Sequence, residues 1–205
     1  MDIKLTFRNL SNDTNNSSVV IFQKNVAADF DEKAVAWTVI RNCGQNEYHP
    51  FTYPIGMTVS SSDSWGNYTP QLAAEHGQIF EATMTGSGDG LAYAGPATNA
   101  SEIQVRNNLT QGAINAHIFK GGKLLAIKTA IAPGQRAAFR LEPTLWIGAA
   151  SEIEEGDVMN SAVISSLNTE LSLLGIASAD IVMTGGGPGA DSKPFSFHLE
   201  NIKYA

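Results

Sequence analysis

Hydrophobic and polar positions alternate with a period of two along most of this chain, the pattern of half-buried β-strands. In "DIKLTFRNL" the alternation sets Ile3, Leu5 and Phe7 on one face. "SSVVIFQKN" is a short apolar run, and "AVAWTVIRN" carries Val35, Trp37 and Val39. "GQIFEATM" and "GLAYAG" flank Gly86-Ser87-Gly88-Asp89-Gly90, which predicts a hairpin loop. The pattern continues through "EIQVRNNL", "AINAHIFKGGKLLAIKTAIAPGQRAAFRLEP" and "TLWIGAA". Gly121-Gly122 predicts a tight hairpin there, and Pro133-Gly134 a turn. Helical periodicity is scarce, with one candidate turn near Glu152 to Val158. Short strands at this spacing predict an all-β fold, an antiparallel β-sandwich.

Phe7-Arg8-Asn9-Leu10-Ser11 is echoed by Val105-Arg106-Asn107-Asn108-Leu109-Thr110, and Ile21-Phe22 by Ile118-Phe119. Two related β halves, 1–98 and 99–205, would produce the echo. So would the sameness of any β-rich sequence, and the residues leave both open. The expectation is one sandwich domain over 1–205, with or without that pseudo-repeat.

The stretch "DIVMTGGGPGADSKPF" (180–195) has the look of a phosphate cradle, an apolar run broken by glycines with a lysine beyond. A P-loop needs its lysine directly after the last glycine and a helix starting there. Here Lys193 lies four residues past Gly189, Pro194 follows it, and "FSFHLENIKY" alternates like a strand. A connection between two strands is the better reading.

Composition narrows the field. The chain has 205 residues, 43% of them hydrophobic and 16% charged, which is globular. A net charge of −7 argues against nucleic acid as a partner. One cysteine, Cys43, permits no internal disulfide and suits a reducing compartment. No secretory signal and no run of ~18 apolar residues is visible, so the expectation is a cytoplasmic product without a membrane-spanning helix. Any action outside the cell would then require release by a non-classical route or by lysis.

Two regions depart from this background. In "YHPFTYPIGMTVSSSDSWGNYTP" (48–70), Tyr48, His49, Phe51, Tyr53, Trp65 and Tyr68 cluster among prolines. Rigid aromatic area of this kind suits a sugar face or a lipid headgroup, and equally suits closing one end of a sandwich. The second region, 159–190, lacks Lys, Arg and aromatic residues. Within it Val163, Leu167, Leu171 and Leu173 share one face, and Ile181 lies in a shorter return. That length and alternation match a membrane β-hairpin of the pore-forming kind, and also an ordinary half-buried sheet.

No catalytic or metal motif stands out. His49, His76, His117 and His198 are scattered without a metal-ligand spacing. "SEIEEGD" lacks the order of a calcium loop, and there is no G-x-S-x-G elbow. Neither a cofactor nor a metal is expected.

"SSVVIFQKN", "HPFTYP", "APGQ" and "LGIASADIVMTGGGPG" together resemble a group of small soluble β-rich proteins from pseudomonads and other bacteria. Some members carry an aromatic ring-opening dioxygenase label. That label implies iron held by two histidines and a carboxylate. No motif in this chain supplies that set, so no residue is carried over. The expected function is therefore non-enzymatic binding of a cell-surface or membrane target, glycan or lipid, in the manner of a pore-forming or insecticidal-type toxin. The alternatives are a metal-dependent ring-opening dioxygenase and a self-assembling structural protein that forms homo-oligomers.

Overall fold

The computed structural model describes residues 2–27 and 33–205. The chain is nearly all β, in several packed sheets. Its opening carries β1 (Ile3–Asn9), β2 (Val19–Phe22), β3 (Ala34–Val35), β4 (Thr38–Ile40) and β5 (Tyr48–Tyr53). Next come β6 (Met57–Ser62), β7 (Leu72–Ala74), β8 (Gln78–Thr85) and β9 (Gly88–Pro96). Then follow β10 (Ile103–Asn107), β11 (Ile114–Lys120), β12 (Lys123–Ile131) and β13 (Arg136–Phe139). The last part holds β14 (Thr144–Ala149), β15 (Val158–Met159), helix α1 (Ser161–Ser166), β16 (Thr169–Ser172), β17 (Ile176–Gly186) and β18 (Lys193–Tyr204).

The strands gather into two compact units. The first comprises Met1–Gln23, Val35–Ile55 and Pro143–Ala205; the second comprises Lys24–Ala34 and Gly56–Glu142. Each takes strands from both halves of the sequence.

The first unit holds two four-stranded sheets, in the orders β18-β17-β1-β5 and β16-β14-β2-β4. Strand β1 runs parallel to β17 and antiparallel to β5. Its alternation is what the fold uses: Ile3, Leu5 and Phe7 are buried, while Lys4 is exposed. They share the core with Val19, Ile21, Ile40, Leu145, Ile147 and Ile181. Trp37 packs edge-on against Phe51 and Tyr53, with ring centroids 6.4 and 5.7 Å apart. Burial of one such ring is worth roughly 3–5 kcal/mol on truncation.

The second unit repeats the plan in permuted chain order. Its sheets run β9-β8-β10-β13 and β12-β11-β6-β7. Here β10 is parallel to β8 and antiparallel to β13, as β1 is to β17 and β5. Strand for strand, β10 to β13 take the places of β1, β2, β4 and β5, and β6 to β9 those of β14, β16, β17 and β18. The register agrees at the middle of the second sheet of each unit: Ile21 faces Ile147 and Thr38, and its counterpart Ile118 faces Val59 and Ala126.

Loops correspond as well as strands. Buried Asn9 donates from Nδ2 to the Cys43 carbonyl (2.7 Å) and accepts from the Ser11 N–H (3.0 Å). Buried Asn107 donates to the Ile131 carbonyl (2.8 Å) and accepts from the Leu109 N–H (3.0 Å). Asn42 and Ala130, one residue before those acceptors, both adopt left-handed backbone, at φ 55° and 57°. The sequence echo marks this shared loop closure.

The segment read either as a latent membrane hairpin or as ordinary half-buried sheet is part helix and part strand. Residues 163–173 are not one strand: Val163 lies in α1, Leu167 follows that helix, and only Leu171 is in β16, with Leu173 just beyond. The helix forms because the Asn160 side chain caps it, accepting from the Val163 N–H at 3.0 Å. Leu167 is buried against Gly148, so close that a Cβ there would meet the Leu167 Cα at 2.9 Å. Ile181 is fully buried in β17, an inner strand between β1 and β18, in the other sheet from β16. The glycine-rich stretch connects antiparallel β17 and β18 and carries a short 3-10 turn at Gly189–Asp191.

Candidate functional site

The aromatic cluster of the sequence is divided between the two units. Tyr48, His49, Phe51 and Tyr53 form β5 of the first, and the chain enters the second at Gly56. Tyr53 is buried, not exposed; it donates to the Gln23 side-chain oxygen at 3.2 Å, and burial pushes its hydroxyl up to about 12. Phe51 is half-buried against Trp37, while Tyr48 is exposed. Trp65 and Tyr68 belong to the second unit, and both are exposed, Trp65 at 89%.

These last two rings stand on the loop joining β6 to β7, and one side chain fixes that loop. The Asp63 carboxylate accepts from the Trp65 N–H (2.8 Å), the Asn67 N–H (2.9 Å) and the Asn67 Nδ2 (2.7 Å). The Asn67 bonds, with those from the Trp65 and Gly66 backbone, hold the Asp63 carboxyl below its ordinary range. Gly66, at φ +85°, supplies the left-handed residue such a turn needs. Trp65 is thus presented on a pre-formed turn, with little order left to impose on binding.

Beside the loop lies a cleft of about 480 Å³. Ser61, Ser62, Asn67, Tyr68 and Thr69 line one side, and the β8–β9 hairpin with Asp89 lines the other. No lysine or arginine is among its lining residues. Among the described residues the exposed Asp89 carboxylate has no hydrogen-bond or ion-pair partner, leaving both oxygens open to a ligand.

Under the cleft sits a pair that sequence reasoning missed. His117 Nε2 lies 3.0 Å from Ser62 Oγ, which also accepts from Asn115 Nδ2 at 3.2 Å. The exposed Tyr68 ring lies over the imidazole, 4.9 Å between centroids. Desolvation lowers the pKa of His117, so the ring is neutral at pH 7. Ser62 and His117 are 55 residues apart in the chain, and no local motif could join them. A Ser–His contact invites an acyl-transfer reading. However, Ser62 is 4% exposed, and His117 Nδ1 is buried without the orienting partner that such chemistry requires. The pair is built as a packed floor.

The remaining histidines do not converge on it. His49 lies in β5 and His198 in β18 of the first unit, where His198 contacts Glu200 at 2.9 Å. His76 lies between β7 and β8. Among the described residues no three His, Cys, Asp or Glu side chains are grouped to hold a metal ion. Cys43 is a buried thiol whose pKa is raised by burial and by Glu47, the reverse of an activated nucleophile. No described helix is long and apolar enough to cross a membrane. No family model, curated protein or solved structure matches the chain.

Proposed function

We propose that this chain is a non-catalytic binding protein for neutral sugars, of the kind displayed on cell-surface glycans, and that it binds them at the second unit's cleft. The observation that carries the reading is the exposed Tyr68 ring and the open Asp89 carboxylate in the lining of one cleft, with the exposed Trp65 ring on the pre-formed turn beside it. A sugar presents an apolar C–H face and a rim of hydroxyls. The face stacks on an aromatic ring, and the hydroxyls donate to carboxylates and accept from amides. Asn67 and the hydroxyls of Tyr68 and Thr69 complete such a rim.

The charge of the cleft selects among ligands. With carboxylates and no cation along its lining, it disfavours phosphate, sulfate and sialic acid. An anionic lipid headgroup is disfavoured for the same reason. A dioxygenase reading has no ligand set to stand on among the described residues. Insertion of 159–190 into a membrane is not part of the proposal, since it would pull an inner strand out of its sheet.

A hydrogen bond contributes about 0.5–1.5 kcal/mol net, so three of them with one stacked ring reach roughly the millimolar range for a monosaccharide. Titration of methyl glycosides followed by tryptophan fluorescence tests this. Saturable quenching that disappears in Trp65→Ala and weakens at least tenfold in Asp89→Ala supports the reading. Equal binding by wild type and both variants refutes it.

A further inference from the structure

The strand correspondence between the units carries the cleft with it. In the second unit the cleft lies between the end of β6 (Ser61, Ser62, Asp63), the start of β11 (Ile114) and the β8–β9 hairpin (Asp89). By register Ser61 corresponds to Ala149, and continuing along the chain past the paired residues the other positions fall at Ala150 and Ser151, at Ser17 and at Phe195. Those five residues line a cleft of the first unit, also about 480 Å³, together with Asn15, Asn16 and Glu152. We infer that the first unit carries a second, independent binding site for neutral sugars, built on this cleft; the inference rests on the reading proposed for the first.

The chemistry is of the same class by different means. Phe195, in the place of Asp89, brings a half-buried ring to the wall. Asn15, Asn16, Ser151 and Glu152 bring amides, a hydroxyl and a carboxylate, again with no lysine or arginine. Glu152 makes no hydrogen bond or ion pair with the described residues. The backbone is committed to the site as well. Asn16 and Glu152 both adopt left-handed φ, 53° and 63°, which costs about 1 kcal/mol or more for a residue such as glutamate.

An aspartate fixes the rim here too. Asp13 accepts from the Asn15 N–H at 2.9 Å and from the Ser17 N–H. Gly186 lets the walls close: at φ +74°, a Cβ there would lie 2.9 Å from the Phe195 ring and 3.1 Å from the Asp13 nitrogen. Only glycine allows the ring, the Asp13 loop and β17 to meet in this way.

The test is a residue-resolved nuclear magnetic resonance titration of the intact, isotope-labelled protein. The probes are the methyl glycosides of glucose, galactose, mannose and N-acetylglucosamine. The expected result is two saturable sets of amide shifts, one over Asn67, Tyr68 and Asp89 and one over Asn16, Ser151, Glu152 and Phe195. In Trp65→Ala the second set should persist as the first is lost; in Phe195→Ala the reverse. If Phe195→Ala fails to fold, Glu152→Gln takes its place, with the second set weakened severalfold. Shifts in the first set alone overturn the second site and leave the proposed function standing. Shifts in the second set alone uphold this site and overturn the assignment of the first. No saturable shift with any glycoside overturns both.

Discussion

Asn107 offers a sharp test of how each unit is locked. Its side chain is fully buried and donates to the Gly112 and Ile131 carbonyls, both at 2.8 Å, while accepting from the Leu109 N–H at 3.0 Å. Asn107→Ala removes three hydrogen bonds and strands two carbonyls and an N–H beside the core. With about 1–3 kcal/mol for each buried group left unsatisfied, and some relief from entering water, the loss is on the order of 3–5 kcal/mol. Asn107→Asp separates hydrogen bonding from packing. The aspartate keeps the shape but turns a carboxylate oxygen toward two carbonyls, so it should be no better than alanine. Asn9→Ala should cost a similar amount, because Asn9 closes the corresponding loop through Cys43 and Ser11. Urea unfolding followed by circular dichroism measures all three. A loss under about 1 kcal/mol for either alanine variant, or a well-tolerated aspartate, would refute the reasoning.

Trp65→Ala should leave stability within about 0.5 kcal/mol of wild type, because the ring is 89% exposed; a shift in urea midpoint worth several times that would place the ring in a packed environment. His117 has a pKa lowered by burial from the ordinary value of 6.5, so the unfolded chain takes up protons that the folded one refuses. Stability should therefore rise with pH up to about 6.5 and fall as pH drops below it, and His117→Leu should flatten that slope; an unchanged slope in the variant contradicts the assignment. His76 is lowered in the same direction by burial, Lys120 and Arg140, so part of the slope should remain. Fragments 1–98 and 99–205 should each be unfolded alone and recover native circular dichroism when mixed, because each unit draws strands from both; a folded fragment would contradict this.

The strands were legible because alternation records burial directly, as β1 illustrates with Ile3, Leu5 and Phe7. The hairpins at Gly86–Gly90 and Gly121-Gly122 were legible from turn chemistry. The division into units was not, because no local signal says that β1 pairs in parallel with β17, more than 170 residues away. The alternation of 163–173 misled because small Ser-rich stretches fit helix and strand alike, and the Asn160 cap decided for a short helix. In the aromatic stretch, composition announced rings but not that the chain changes units near Gly56, leaving Tyr53 in a core and Trp65 in solvent. The two clefts were invisible for a deeper reason: each is assembled from three distant segments, and only the register between strands brings them together.

The central claim, neutral-sugar recognition through Trp65 and Asp89, is tested most directly by the intact protein on an array holding neutral, sialylated and sulfated glycans side by side, against the Trp65→Ala/Asp89→Ala double variant. The account predicts retention on neutral glycans, little on the anionic ones, and at least a tenfold loss of neutral binding in the double variant. Retention only on sialylated or sulfated glycans, or neutral binding that the double variant keeps in full, would contradict it.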